Sequence, residues 1–229
     1  MVAVGYSSKP KLVIFDLNER KEIFSQLIGN EQIECLSFSP NGSYLALGSR
    51  DNFIYLYSVS EDGFTYSKIG KCSGHSSFIT HLDWCINSEY IMSNSGDYEC
   101  LIWDAKTCKQ ITHIELIRDL VFATNTCVFS LNTLGIWNSG MQNSSITSYD
   151  GTDINMFACS ASKKLGCFVD DLGKVNLTVY PCNMTKTEKH IYQAHSSHVT
   201  NVVFVNNDKH ILTTGGNDMS ILQWLVIDD

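Results

Sequence analysis

Cys100-Leu101-Ile102-Trp103 is apolar at every position and ends on an aromatic ring. Runs of the same kind end at Phe15, Tyr57, Trp137, Tyr180 and Trp224, so the six anchors are spaced by 42, 46, 34, 43 and 44 residues. Apolar residues stand one and three places ahead of five of them: Leu12/Ile14, Ile54/Leu56, Cys100/Ile102, Leu134/Ile136 and Leu177/Val179. The sixth departs only at Gln223, two residues after Ile221. A period of about 20 to 50 residues marks repeated supersecondary units.

A second recurring run places apolar residues two apart, as a strand does: Leu36/Phe38, Leu82/Trp84, Leu120/Phe122, Ile154/Met156 and Val202/Phe204. Between the two anchors comes a third run, such as Tyr44-Leu-Ala-Leu-Gly48, and then a tight turn such as Ser95-Gly-Asp-Tyr98. Short strands with turns this frequent give an all-β fold. In a two-sheet sandwich one face of each strand meets water and the pattern alternates strictly. Leu12-Val-Ile-Phe15 and Cys100-Leu-Ile-Trp103 are apolar on both faces. Each small sheet must therefore meet another sheet front and back, which is the arrangement of propeller blades.

Composition agrees. The 229 residues are 44% hydrophobic and 17% charged, the balance of a globular chain and not of a disordered one. A single domain over 1–229 is expected, because no segment is rich enough in Pro, Ser or charge to be a linker. The net charge of −8 and scattered Lys and Arg argue against nucleic acid as a partner. No apolar run approaches 18 residues, so no membrane partner is expected. Nine cysteines without a C-x-x-C pair fall largely inside apolar strands, which suits free thiols in a reducing cytoplasm.

Two repeats resemble the WD40 signature. One runs Gly74-His75, Ser93, Asp97, Trp103-Asp104; the other runs Ala194-His195, Thr213, Asp218, Trp224, with Leu225 in place of the signature Asp. His to Asp is 22 residues in the first and 23 in the second, and Asp to Trp is 6 in both. The resemblance implies a hydrogen-bonded chain in which Asp holds His, His meets the hydroxyl and the hydroxyl meets the indole. It is thus a structural network of His75, Ser93, Asp97, Trp103, His195, Thr213, Asp218 and Trp224, and not a hydrolase triad.

Longer stretches narrow the resemblance: His75-Ser-Ser-Phe-Ile-Thr-His-Leu-Asp-Trp84, Tyr90 to Glu99, Gly151-Thr-Asp-Ile-Asn155, Ala194-His-Ser-Ser-His-Val-Thr-Asn-Val202 and Asp218-Met-Ser-Ile221. They are similar to the C-terminal propeller of the echinoderm microtubule-associated protein-like family. That family joins two propellers into a curved unit whose concave face is associated with tubulin, and it attaches to the lattice through a coiled coil with a basic region. This chain has neither heptads nor a basic tract, so lattice attachment is not carried over.

The resemblance implies about six blades, near 1–28, 33–71, 79–113, 117–149, 153–193 and 199–229, with both terminal blades incomplete. Residues 2–6, 11–16 and 21–27 are expected as strands b, c and d of a blade without strand a, and strand c of the last ends near Val226. Such a row exposes two blade faces of roughly 330 Å² each. The expectation is a fragment whose partner is the rest of its own propeller, and which aggregates alone. Residues 117–140 depart from the WD40 pattern, lacking both His and turn Asp.

Chemistry other than binding has little support. His195-Ser-Ser-His198 has metal-like spacing but falls on a turn without a Cys or carboxylate set, so no metal is expected. His81 and Asp83 share a strand face without a nucleophile and are expected as a solvated, channel-lining pair. No phosphate-cradling glycine motif is present, and no cofactor is expected. What remains is a protein-binding scaffold, not an enzyme. In WD40 propellers the d–a and b–c turns gather on one face, and here they offer Arg50, Asn52, Ser77, Phe78, Tyr98, His198 and Asn217. Phe78 and Tyr98 either anchor a partner or pack against neighbouring blades. By resemblance the partner is tubulin or microtubules and the location is the cytoplasmic cytoskeleton. The alternative is an adaptor for kinase or ubiquitin-ligase complexes.

Overall fold

The computed structural model describes residues 10–137, 152–184 and 187–227, together with the backbone of 2–5. Contacts gather into two compact units, Met1–Thr124 and Asn125–Asp229. Each is built of antiparallel sheets in which strands that follow one another in the chain lie side by side.

The first unit holds three sheets. Strands β1 (Val2–Gly5), β2 (Lys11–Asp16) and β3 (Lys21–Leu27) form a three-stranded sheet. Strands β4 (Ile33–Phe38), β5 (Tyr44–Ser49), β6 (Phe53–Val59) and β7 (Tyr66–Ser73) form a four-stranded one. A second four-stranded sheet consists of β8 (Ile79–Trp84), β9 (Tyr90–Ser95), β10 (Cys100–Asp104) and the short β11 (Gln110–Ile111). The second unit holds a four-stranded sheet, β12 (Ile154–Cys159), β13 (Leu165–Asp170), β14 (Lys174–Val179) and β15 (Lys189–Gln193). Its other sheet has three strands, β16 (Val199–Val205), β17 (His210–Gly215) and β18 (Ile221–Leu225).

Packing follows from the two-faced apolar strands. On β5 and β6, Leu45, Leu47, Tyr55 and Tyr57 point to one side and join Leu12 and Ile14 of β2 in a buried core. Their neighbours Ala46, Ile54 and Leu56 point to the other side and join Ile79, Leu82, Trp84, Ile91 and Trp103 of β8–β10. A period of two along a strand thus feeds two separate cores. Each fully buried Leu or Ile is worth about 1.5–3 kcal/mol of transfer free energy. The second unit repeats the scheme: Cys167 and Val169 of β13 face Val199, Val202 and Ile211. Phe168, between them, faces Val128, Ile136 and Cys182. These are stacked small sheets of the propeller kind, with one four-residue helix, Ile114–Ile117, among the described residues.

The repeat expected at 117–149 differs. Its described part, 117–137, contributes no strand to any sheet; the expected Leu120/Phe122 strand is reduced to one antiparallel bridge, Cys85 with Phe122. The run ending at Trp137 is a 3-10 helix, Leu131–Ile136. Local hydrogen bonds compete with a ladder here. The Ser130 amide donates to Thr133 Oγ1 at 2.9 Å, and the Thr133 hydroxyl donates to the Val128 carbonyl at 2.8 Å. Trp137 stacks on Phe129 with ring centroids 4.3 Å apart and donates its indole N–H to the Val128 carbonyl. The rest of that repeat, 138–149, and Gly151 of the Gly-Thr-Asp-Ile-Asn stretch lie outside the described residues. Five sheets are therefore described where about six blades were expected.

Candidate interaction surface

The structure brings His75, Ser93, Asp97 and Trp103 together across β9, β10 and the β7–β8 connection. His75 Nδ1 lies 3.0 Å from Asp97 Oδ2, and His75 Nε2 lies 2.8 Å from Ser93 Oγ. The Trp103 indole N–H donates to Ser93 Oγ at 2.7 Å. With the His75 proton on Nδ1 the chain has one consistent direction. The Ser93 oxygen accepts from Trp103, its O–H donates to His75 Nε2, and the ring's Nδ1–H donates to Asp97. A neutral His75 satisfies every group in the chain. Burial raises the Asp97 carboxyl, but the amides of Glu99 and Ser76 and the His75 ring outweigh it and hold the carboxyl below its ordinary value.

The second unit repeats the geometry. His195 Nδ1 is 2.9 Å from Asp218 Oδ2, His195 Nε2 is 2.8 Å from Thr213 Oγ1, and Trp224 Nε1–H donates to Thr213 Oγ1 at 3.0 Å. Ser220 Oγ adds a contact at 3.0 Å to His195 Nδ1. Both ring nitrogens of His75 and of His195 are thus engaged within the networks. His75, Asp97 and Glu99 hold ligand atoms within 4.8 Å of one another. Their histidine is already shared between Asp97 and Ser93, and hydrogen bonds account for the cluster.

His81 and Asp83 are buried, at 8% and 0% exposure, and not the solvated pair their spacing suggested. His81 Nδ1 lies 2.9 Å from Thr80 Oγ1, and Asp83 accepts the Thr124 hydroxyl at 2.6 Å.

Five of the turn residues lie on the first unit. Arg50 and Asn52 sit in the β5–β6 turn, Ser77 and Phe78 ahead of β8, and Tyr98 in the β9–β10 turn. Arg50 pairs with Glu34 and places its guanidinium 5.4 Å from the centre of the Phe78 ring. Phe78 is 38% exposed and Tyr98 is 61% exposed. Phe78 thus packs against Arg50 of the neighbouring sheet while keeping more than a third of its surface exposed. Tyr98 takes φ +63 to close its turn on the Ser95 carbonyl. His198 and Asn217 lie on the second unit, where Ser197 Oγ is 3.1 Å from His198 Nδ1 and accepts the Asn217 amide at 3.2 Å.

A glycine relationship was missed in the sequence. A Cβ on Gly96 would lie 2.8 Å from the Phe78 ring, and one on Gly216 would lie 2.1 Å from the His198 ring. Both glycine amides also donate to the carbonyl of that ring residue, at 2.9 Å. In each repeat the ring stands three residues after the network histidine and the glycine 21 after it, a spacing that could have been found. Across 29–34, 49–53, 74–79 and 95–100 the turn edge carries Glu31, Glu34, Asp51, Asp97 and Glu99 against Arg50 alone. Basic groups on a partner meet this edge more favourably than acidic ones.

Comparison with known proteins adds to this geometry. Residues 1–226 match the family model described as the echinoderm microtubule-associated protein second beta-propeller. The chain is 47% identical over 227 residues to echinoderm microtubule-associated protein-like 1 of Mus musculus, covering 99% of this chain and 27% of that protein. It is 53% identical over 199 residues to the like-2 protein of Homo sapiens, covering 87% and 29%. With the like-4 protein of Xenopus laevis it shares 47% over 229 residues, covering 100% and 24%. The chain thus spans about a quarter of the length of these curated relatives. A chain in the crystal structure of a mitotic checkpoint complex superposes with a TM-score of 0.68 at 20% identity, covering 99% of this chain and 75% of that one. That likeness concerns the fold alone. No helix among the described residues is long and apolar enough to cross a membrane.

Proposed function

The chain belongs to the echinoderm microtubule-associated protein family, and on that premise we propose that it is a non-catalytic WD40 scaffold segment that contacts tubulin or microtubules in the cytoplasmic cytoskeleton. The observation that carries this reading is the match of residues 1–226 to the family's second propeller. The two His–Asp networks act in it as structural ties of the turns. The contact face is the turn edge bearing Arg50, Asn52, Ser77, Phe78 and Tyr98, with His198 and Asn217 its counterparts on the second unit. About six blades, with 1–28 and 199–229 incomplete, remain part of the proposal, and so does packing against further propeller sequence. No observation favours an adaptor for kinases or ubiquitin-ligase parts.

Co-sedimentation with polymerised tubulin tests the reading. The chain should pellet with polymer in a saturable way. An Arg50/Phe78/Tyr98 triple alanine variant should bind at least about tenfold more weakly, the effect of losing aromatic and Arg anchors. Absence of the unmodified chain from the pellet would overturn the tubulin reading. Equal binding by the variant would remove this edge as the contact face.

A further inference from the structure

Nine cysteines are present, and two of them meet between sheets. Cys72, near the end of β7, is 1% exposed. Cys108 is partly buried and lies in the turn from β10 to β11 of the next sheet. The Cys108 sulfur lies 3.0 Å from where a Gly70 Cβ would stand, so its side chain rests on β7 where that strand has no side chain. Gly70 and Cys72 are two apart and share a strand face. Cys108 also packs against the buried cluster to which Cys72 belongs.

Burial raises both thiols above their ordinary value, and Asp104 adds to the rise. Cys108 is the more accessible of the two, being partly buried where Cys72 is buried. The β10–β11 turn is closed by the Cys108 amide on the Asp104 carbonyl at 2.9 Å.

We propose that Cys72 and Cys108 are a peroxide-oxidisable dithiol whose disulfide ties β7 of one sheet to the β10–β11 turn of the next. The Cys108 thiolate attacks hydrogen peroxide; an S–O bond forms, the O–O bond breaks, and hydroxide leaves. Cys72 sulfur then attacks the resulting sulfenic sulfur. The S–S bond forms, the S–O bond breaks, and the departing hydroxide takes the Cys72 proton as water. Two thiols and one peroxide give one disulfide and two waters, with two electrons passing from sulfur to peroxide. The disulfide so formed has an S–S bond of about 2.05 Å. Burial keeps the thiols protonated and Asp104 adds negative charge beside both, so the reaction is slow compared with that of a low-pKa thiol.

Sustained hydrogen peroxide on the intact chain, followed by non-reducing peptide mapping, tests this. A peptide pair linked through Cys72 and Cys108 should form first, and the thiol count in denaturant should fall from nine to seven. In Cys72→Ser the sulfenic acid should persist at Cys108 and be trapped by dimedone. In Cys108→Ser, Cys72 should stay reduced. Other cysteines oxidising before this pair, a first linkage between Cys159 and Cys182, or no dimedone adduct at Cys108 would each overturn the assignment.

Discussion

Ala46 and Leu47 are consecutive residues of β5, both fully buried, and they belong to different cores. Leu47 meets the sheet that precedes it in the chain, and Ala46 meets the sheet that follows. This relationship is what the repeated two-faced apolar runs encode, and it separates a stacked array of small sheets from a sandwich.

Ser93 is fully buried and is the junction of the first network, accepting from Trp103 and donating to His75. Ser93→Ala leaves an indole N–H and a ring nitrogen buried without partners, which should cost about 1–3 kcal/mol in urea unfolding. Ser93→Thr should recover most of it, because Thr213 fills the same place in the second network.

The Asp97 carboxyl in the folded chain lies below its ordinary value. Its stabilising effect is therefore complete above an unfolded pKa of about 3.9 and is lost as pH falls through the lower folded value. Asp97→Asn should be less stable than the parent chain at neutral pH, and the gap should narrow below about pH 4. Thermal melts across pH 2.5–7 check this; a gap that stays constant would show that Asp97 acts through shape alone.

Gly96 and Gly216 sit under the rings of Phe78 and His198. Gly216→Ala should be the more damaging, since its Cβ would lie 2.1 Å from two His198 ring atoms against 2.8 Å from the nearest Phe78 atom for Gly96→Ala. Phe78 is also the freer ring, being 38% exposed. Differential scanning calorimetry should rank Tm as parent, then Gly96→Ala, then Gly216→Ala.

Much of this was legible in the sequence, for a physical reason. A strand buried on both sides cannot alternate, and that left its mark in Leu12 to Phe15 and Cys100 to Trp103. The His–Asp networks were legible through the resemblance to the WD40 signature, whose fixed spacing keeps hydrogen-bond partners together across a turn. The run ending at Trp137 misled because its apolar pattern matches a strand, while Ser130 and Thr133 divert its backbone bonds. Burial of His81 and Asp83 depends on what covers a strand face and not on the face itself. Arg50 over Phe78, and Cys72 beside Cys108, join different sheets, and no local pattern announces such meetings.

Substituting the two β5 neighbours one at a time tests the stacked-sheet account most directly. Leu47→Ala should lose about 2–5 kcal/mol through the cavity it leaves, and Ala46→Leu should lose about 1–3 kcal/mol through overpacking, both read by urea unfolding on tryptophan fluorescence. If either substitution changes stability by less than about 0.5 kcal/mol, the value typical of a surface site, one face of β5 is open and sheets are not stacked on both sides of it.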